Sequence, residues 1–413
     1  MKKIFTIWMF LVGLVATIHG QTLFVWQKNV ATAIPADQAG TMSYSAEGTI
    51  LTISGTVYQT NDIDSIVVKD TPVSDLLVAI TYNGSQGQVV IPQKIASFVS
   101  ANVDGAHVTV TSTAIDGDEV TYELKGASSD GSFTMNGVYK CGVVLNGLSL
   151  QSSRGAAINI QNGKRIDVIL GEGTENKLVD CANGTQNACF YIKGHPEFTG
   201  NGTLILTGNT KHALASNEYL FLKRSFGSLK VLSAVSDGIH AGQYFKMNGG
   251  DVQIDNTGGD CIQAEYTNDP TDEENGMMFI TGGKLDLKVR GNDVKGLKCD
   301  SILTFTGGTL NIVASGDGSK GISTGNDFNV NEDTGVTSIN IQATGGEYEY
   351  EDPILGTETS KCMGIRVHGA MSISAGTITV TNTGYKSKGI KIAKGYTKTG
   401  SAVVNGSLEY NAG

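Results

Sequence analysis

Residues 201–330 repeat one pattern of apolar and polar positions several times. Each unit opens on glycine and alternates apolar with polar residues, as in Leu229, Lys230 and Val231. It then passes a corner rich in glycine, aspartate and asparagine and ends on a short apolar segment. Alternation with a period of two predicts strands that have one buried face. Helices are disfavoured because glycine, threonine and β-branched residues dominate and no stripe of period 3.6 persists.

The spacing of these units predicts a solenoid. The residue that follows each corner marks its unit, and the marker residues are Ile239, Ile262, Leu297, Ile322, Ile365 and Ile390. Their intervals of 23, 35, 25, 43 and 25 residues indicate a period near 23 to 25 with two insertions. Such short strands cannot bury a face alone, so each coil must pack on the next. Equivalent residues of successive coils would then form columns spaced by about 4.8 Å.

The two insertions are the acidic residues 266–276 and the acidic, aromatic residues 345–360. Loops that project from a solenoid often contact ligands, and a solvated turn is the alternative for each.

The chain divides into four segments. Residues 1–20 carry Lys2 and Lys3 before a short apolar run, which predicts a secretory signal peptide rather than a membrane span. Residues 21–71 form a β-rich lead segment or cap, residues 72–125 the β-rich start of the main domain, and residues 126–413 the solenoid. We therefore expect an exported protein that is secreted, periplasmic or located at the cell surface.

The composition of the chain limits the classes of partner and of chemistry to be considered. The chain of 413 residues has a net charge of -10, which argues against nucleic acid and anionic membranes. The six histidines show no pattern of a serine or cysteine hydrolase. The six cysteines lack metal-ligand spacing, and Cys181 and Cys189 could form a disulfide or remain buried thiols.

Acidic residues recur at the corners, and they are Asp237, Asp260, Asp293 and Asp317. Carboxylates stacked on successive coils repel each other by a few kcal/mol. Calcium would relieve this repulsion, because it binds six to eight oxygen ligands. The alternative is that these side chains hydrogen-bond the backbone of their own turns.

A basic column lies beside the acids. It comprises Lys295, Lys298, Lys320, Arg366, Lys388 and Lys391, with His240 at the position of Lys298. This strip could bind the carboxylates of a uronate polymer, or its lysines could simply neutralise the neighbouring aspartates. Aromatic platforms for crystalline polysaccharide look sparse, since aromatic residues make up 7% of the chain. A soluble acidic glycan therefore fits better than cellulose.

Residues 145–181, LNGLSLQSSRGAAINIQNGKRIDVILGEGTENKLVDC, followed by the glycine-rich units, resemble a family of bacterial carbohydrate-binding domains. This family is typified by clostridial cell-surface proteins that bind polygalacturonate and cellulose. The resemblance implies a right-handed parallel β-helix with bound calcium, similar in topology to one class of pectate lyases. Those lyases use calcium-ligating aspartates and a lysine base, whereas the clostridial proteins are regarded as binding rather than cleaving.

The sequence thus predicts an exported, non-catalytic, calcium-dependent polysaccharide-binding protein that favours acidic glycans. One alternative is a calcium-dependent uronan lyase, with Lys295 or Lys320 as the base. Another is an adhesin in which the solenoid is a rigid spacer and the partner is a protein.

Overall fold

The computed structural model describes residues 20–255, 257–267, 269, 271–331 and 337–410. The predicted signal peptide, apart from Gly20, lies outside these residues. The described chain consists of strands and two short 3-10 helices, Thr60–Asp62 and Gln93–Ile95, which confirms the all-β prediction. Within the described residues, no helix has the length and apolar character needed to span a membrane.

The first twelve strands cover the lead segment and the start of the main domain. In chain order they are β1 Thr22–Gln27, β2 Val30–Pro35, β3 Met42–Tyr44, β4 Ile50–Ile53, β5 Thr56–Gln59, β6 Ser65–Lys69, β7 Leu77–Asn83, β8 Gln86–Pro92, β9 Val99–Asp104, β10 Ala106–Ser112, β11 Val120–Ser128 and β12 Gly131–Asn136.

The remaining strands build the stacked coils. They are β13 Cys141–Gln151, β14 Ile158–Gln161, β15 Arg165–Leu170, β16 Glu175–Val179, β17 Ala188–Ile192, β18 His195–Thr199, β19 Thr203–Gly208, β20 His212–Ser216, β21 Leu220–Leu222, β22 Ser228–Ala234, β23 Ile239–Ala241, β24 Phe245–Met247, β25 Asp251–Ile254, β26 Ile262–Ala264, β27 Met278–Ile280, β28 Lys284–Val289, β29 Lys295–Cys299, β30 Leu303–Phe305, β31 Gly308–Ala314, β32 Lys320–Thr324, β33 Phe328–Val330, β34 Thr337–Ala343, β35 Glu347–Asp352, β36 Gly356–Lys361, β37 Met363–Val367, β38 Met371–Ile373, β39 Thr377–Asn382, β40 Lys388–Ile392, β41 Tyr396–Lys398, β42 Val403–Asn405 and β43 Leu408–Tyr410.

Strands three apart in the chain pair in parallel through most of the stack. β20 pairs with β23, β21 with β24, and β22 with β25, so each coil contributes one strand to each of three neighbouring ladders. The first of these ladders is a sheet of 13 described strands that runs from β9 to β43. We call it the binding-face sheet, because it carries the acidic and basic residues singled out above. Parallel pairing extends back to β7 with β11 and β10 with β12.

The marker residues stack in register along the binding-face sheet. Ile239 pairs with Ile262, and the ladder continues through Leu297, Ile322, Ile365 and Ile390. Each marker side chain is at most 1% exposed and belongs to one continuous hydrophobic core. Burial of this column stabilises the stack through the hydrophobic effect.

The lead segment has a small core of its own. Leu23 and Val25 of β1 pack against Leu51, Ile53 and Tyr58. β1 pairs in antiparallel fashion with β2 and β6, and β2 joins the main sheet by parallel pairing with β8.

Glycines permit close stacking at one corner. A Cβ atom at Gly345 would lie 2.1 Å from the carbonyl oxygen of Gly316, and one at Gly384 would lie 1.8 Å from that of Gly345. Neither distance is possible for a real side chain, so larger residues at these positions would force the coils apart.

Two predictions about local structure have outcomes. Residues 345–360 are mostly an antiparallel hairpin of β35 and β36, whose tip exposes Ile354 and Leu355. The insertion at residues 266–276 is described except at positions 268 and 270.

All six cysteines are free and Cys189 is buried, which supports the thiol alternative over a disulfide with Cys181.

Candidate functional site

The basic residues form two columns on the outer face of the binding-face sheet, where the sequence suggested one. Lys295 pairs with Lys320, and this first column continues through Met363 to Lys388. The second column lies three residues further along each strand. Its members in order are His240, Gln263, Lys298, Ser323, Arg366 and Lys391. His240 and Lys298 thus share a column.

Two buried corner acids, Asp237 and Asp260, bind backbone groups of the next coil. Oδ1 of Asp237 accepts a hydrogen bond from the backbone N–H of Asp260 at 2.8 Å. Oδ1 of Asp260 accepts one from the backbone N–H of Lys295 at 2.7 Å. Both carboxylates are buried. The backbone group that each one binds belongs to the next coil rather than to its own turn.

The other two acids, Asp293 and Asp317, lie in turns that precede β29 and β32. Asp293 has a φ of 53°. Asp317 accepts a hydrogen bond from the backbone N–H of Gly346 at 2.7 Å. Among the described residues, no three of the four corner carboxylates approach closely enough to share an ion. The four acids are therefore not brought together at a single point.

Acidic neighbours neutralise three of the lysines. The Lys320 ammonium, 12% exposed, lies 2.7 Å from Oδ1 of Asp293 and also donates to the carbonyl oxygen of Gly318 and to Ser360. Burial lowers the pKa of Lys320, although Asp293 opposes this effect. Lys295 lies 3.6 Å from the Asp293 carboxylate, and Lys298 lies 3.7 Å from that of Asp260. Each of these three lysines has an acidic neighbour, although Lys295 and Lys320 share the carboxylate of Asp293.

Arg366 and Lys391, paired across β37 and β40, differ from these lysines, and we call them the cationic patch. In the part of the chain that the structure describes, neither residue has a carboxylate within 4.0 Å. Nη1 of Arg366 is buried without a hydrogen-bond partner. The charge of Arg366, together with burial and Lys388, lowers the pKa of Lys391. The patch therefore concentrates unneutralised positive charge.

A comparison with known protein families shows to which family the chain belongs. The family model described as carbohydrate-binding domain-containing protein matches residues 104–406. The chain belongs to this family. The matched region includes both basic columns up to Lys391 and all four corner acids.

The chain is similar to two known proteins. A carbohydrate-binding domain-containing protein of Acetivibrio thermocellus is 23% identical over 164 residues, which cover 35% of this chain and 57% of the relative. The match therefore spans little more than half of that relative. A solved polysaccharide lyase-like protein from C. thermocellum has 20% identity and a TM-score of 0.48 over 64% of this chain and 96% of that one.

This carbohydrate-binding domain also carries an aromatic ladder on another face. The rings of His195 and Tyr219 stack at 5.0 Å, and those of Tyr219 and Tyr244 stack at 4.8 Å. The edge of Phe279 meets Tyr244. Sequence analysis described aromatic platforms as sparse and did not identify this ladder. The spacing of 24 and 25 residues between its members, which matches the coil period, could have revealed it.

Two of the hollows on the surface of the described chain contain charged side chains. One, of about 380 Å³, is lined by residues that include Tyr191, His212, His240 and Tyr266. A larger one of about 630 Å³ lies on another ladder, over the polar side chains of Lys230, Gln253, Asp286, Asn311 and Asn340. At its edge, Arg290 and Lys288 bind Asp255. Lys288, which lines the larger hollow, thus shares one acidic partner with Arg290, whereas the residues of the cationic patch have none in the described chain.

Proposed function

We propose that this protein is an exported, non-catalytic polysaccharide-binding protein that prefers acidic glycans. Membership of the carbohydrate-binding family supports the glycan as partner. We further propose that its coils form a right-handed parallel β-helix. The parallel pairing of strands three apart in the chain supports this architecture.

The observation that carries the acidic preference is the cationic patch. Arg366 and Lys391 stay unpaired in a chain of net charge -10, where most of the basic side chains around them have acidic partners. A uronate polymer offers one carboxylate per sugar. A guanidinium binds a carboxylate through two parallel hydrogen bonds, and an ammonium adds a point charge. A glycan carboxylate beside these two side chains would relieve the repulsion between Arg366 and Lys391.

Calcium dependence is the second part of the proposal, and the family resemblance supports it. The corner acids do not converge, so calcium would need ligands other than the four acids together. Calorimetric titration of chelator-treated protein with calcium tests this part. We expect a binding heat that saturates, and its absence would remove calcium from the proposal.

One observation favours a lyase as the second candidate. Burial lowers the pKa of Lys320, as a general base requires. Its ammonium nevertheless donates to Asp293, Gly318 and Ser360, which occupies all three of its protons. A lyase would have to break these contacts before the amine could accept a proton.

Retention on immobilised polygalacturonate tests the main proposal. We expect the wild type to be retained without growth of the ultraviolet absorbance of unsaturated uronate, and retention should weaken with salt. The variant Arg366→Ala/Lys391→Ala should lose at least tenfold in affinity. The control Lys140→Ala/Lys164→Ala removes the same charge at two exposed sites and should bind normally. Equal affinity of both variants would overturn the assignment of the patch.

The same assay separates the other functions. Growing absorbance would mean that the protein is a lyase. Absence of both retention and product, with and without calcium, would favour an adhesin with a protein partner.

A further inference from the structure

Two histidines and an aspartate meet where two adjacent coils stack. Nδ1 of His212 lies 3.1 Å from Oδ2 of Asp237, and Nδ1 of His240 lies 3.0 Å from the same oxygen. The two imidazole rings stack with centroids 4.3 Å apart. The side chains of His212 and Asp237 are 3% and 6% exposed, and that of His240 is 18% exposed. Three ligating atoms therefore converge beside the smaller hollow.

The contacts around His212 bring two hydrogen-bond acceptors close together without a positive charge between them. Nδ1 of His212 accepts the backbone N–H of Asp237 at 3.2 Å, so this nitrogen carries a lone pair and no proton. Oδ2 of Asp237 is a second acceptor 3.1 Å from this nitrogen, and two acceptors this close repel each other. The proton must then reside on Nε2, which is buried without a hydrogen-bond partner. A cation between Nδ1 and Oδ2 would turn the repulsion into attraction.

We propose that His212, Asp237 and His240 bind a zinc ion through Nδ1, Oδ2 and Nδ1. Zinc bonds of about 2.0 to 2.2 Å in a tetrahedron place neighbouring ligand atoms about 3.3 Å apart. The nitrogen to oxygen distances of 3.1 and 3.0 Å are close to this spacing. Imidazole ligands suit zinc, whereas calcium binds oxygen. This site is therefore distinct from the proposed calcium dependence.

Neighbouring groups hold the ligands in the required orientation. Oδ1 of Asp237 is occupied by the backbone N–H of Asp260, which leaves Oδ2 for the metal. Nε2 of His240 lies 3.5 Å from Oε2 of Glu265, so a carboxylate faces the nitrogen that does not bind the metal. Such carboxylate partners fix the ring and raise its basicity in zinc sites. Glu265 is thus a positioning residue.

The fourth position of the tetrahedron would face solvent. His212 and His240 both line the hollow of about 380 Å³, together with the polar residues Lys211, Asn217 and Glu218. This opening provides the path for zinc and room for a water molecule as the fourth ligand. Three protein ligands and one open position are typical of zinc sites that bind an exogenous ligand.

Calorimetry with zinc alone tests the proposal on the untagged chain from residue 21, after chelator treatment and without glycan. We expect one zinc per chain, and cobalt in its place should give the visible absorption of a tetrahedral site. His240→Ala should weaken zinc binding at least 100-fold, and Glu265→Gln should weaken it about tenfold or more. The controls His195→Ala and His368→Ala should bind zinc as the wild type does.

Several outcomes would overturn the zinc site. They are the absence of binding heat in the wild type, cobalt spectra without tetrahedral bands, or equal zinc affinity of His240→Ala and the controls. His240 and Glu265 are more exposed than His212 and Asp237, so these variants should fold, and melting of the metal-free proteins checks this. A negative result leaves the polysaccharide proposal untouched, because no glycan is present.

Discussion

Oδ1 of Asp260 accepts a hydrogen bond from the backbone N–H of Lys295 at 2.7 Å, and the two residues belong to successive coils. Asp260 is buried, so the unpaired N–H would also lack water. We expect Asp260→Ala to reduce the free energy of unfolding by about 2 kcal/mol, while Asp260→Asn, which keeps an oxygen acceptor, costs less. Denaturant titration in the presence of chelator measures this cost without calcium.

The informative result is which of the two variants, Asp260→Ala or Asp260→Asn, has the lower free energy of unfolding. Equal stability of Asp260→Ala and the wild type in chelator would contradict a structural role for this bond. The carboxylate would then be free for the metal role that its position in the sequence suggested.

Glycine at the corner of the stack is required for close packing. A Cβ atom at Gly345 would lie 2.1 Å from the carbonyl oxygen of Gly316, so Gly345→Ala must push two coils apart. We expect a loss of about 2 to 3 kcal/mol and a lower melting temperature. Gly163→Ala is the matched control, because no atom lies within 4 Å of a Cβ atom placed there. Similar melting of the two variants would refute the steric argument.

The Asp255 ion pair predicts a defined acid dependence. Hydrogen bonds from Arg290 and Lys288 and their charges lower the pKa of Asp255 to about 2. A depressed carboxyl pKa stabilises the fold above the unfolded value of about 3.9, and this contribution is lost as the pH falls towards 2. Asp255→Asn should therefore be less stable than the wild type at pH 7, and the difference should shrink below pH 4. Denaturation at both pH values measures it.

The comparison for this prediction is Asp70→Asn, which removes an exposed carboxylate. It should have the same stability as the wild type at pH 7. A stability gap between Asp255→Asn and the wild type that stays constant from pH 7 to pH 2.5 would exclude the ion pair as its source.

Much of the stack could be predicted from spacing alone. The intervals between Ile239, Ile262 and Leu297 gave the register that the parallel ladder has, because inward residues of stacked coils must coincide. Lys295 lies two residues before the marker Leu297, and Lys298 lies one residue after it. Counting from the marker would therefore have placed the two lysines in different columns. Grouping them as one column overlooked the position of each lysine along the strand.

The zinc cluster and the cationic patch were harder to foresee. His212 belongs to a coil before the first marker, and its contact with His240, 28 residues later, depends on the stacking of successive coils. Whether Arg366 has an acidic partner depends on where the fold places the neighbouring carboxylate side chains. Composition gives the number of charges, but only side-chain directions decide which of them are neutralised.

Lys320 and Arg366 should respond oppositely to substitution. Lys320→Met leaves the half-buried Asp293 carboxylate without its closest cation, so we expect about 1 to 3 kcal/mol of destabilisation. Retention on polygalacturonate should stay the same, because Lys320 is already neutralised. Arg366→Ala should lose retention and little stability, since its charge has no acidic partner in the described chain. Loss of retention in Lys320→Met at a temperature where it is folded would contradict this division.

The aromatic ladder provides the last test of glycan preference. Tyr219 and Tyr244 stack at 4.8 Å, and their faces suit the apolar C–H surface of an uncharged sugar ring more than a carboxylate. If charge at the cationic patch governs binding, Tyr219→Ala/Tyr244→Ala should retain polygalacturonate within about twofold of the wild type, since an aromatic pair contributes little to a charge contact. Parallel affinity measurements on polygalacturonate and on insoluble cellulose check this. A large loss on polygalacturonate would move the binding surface from the patch to the ladder.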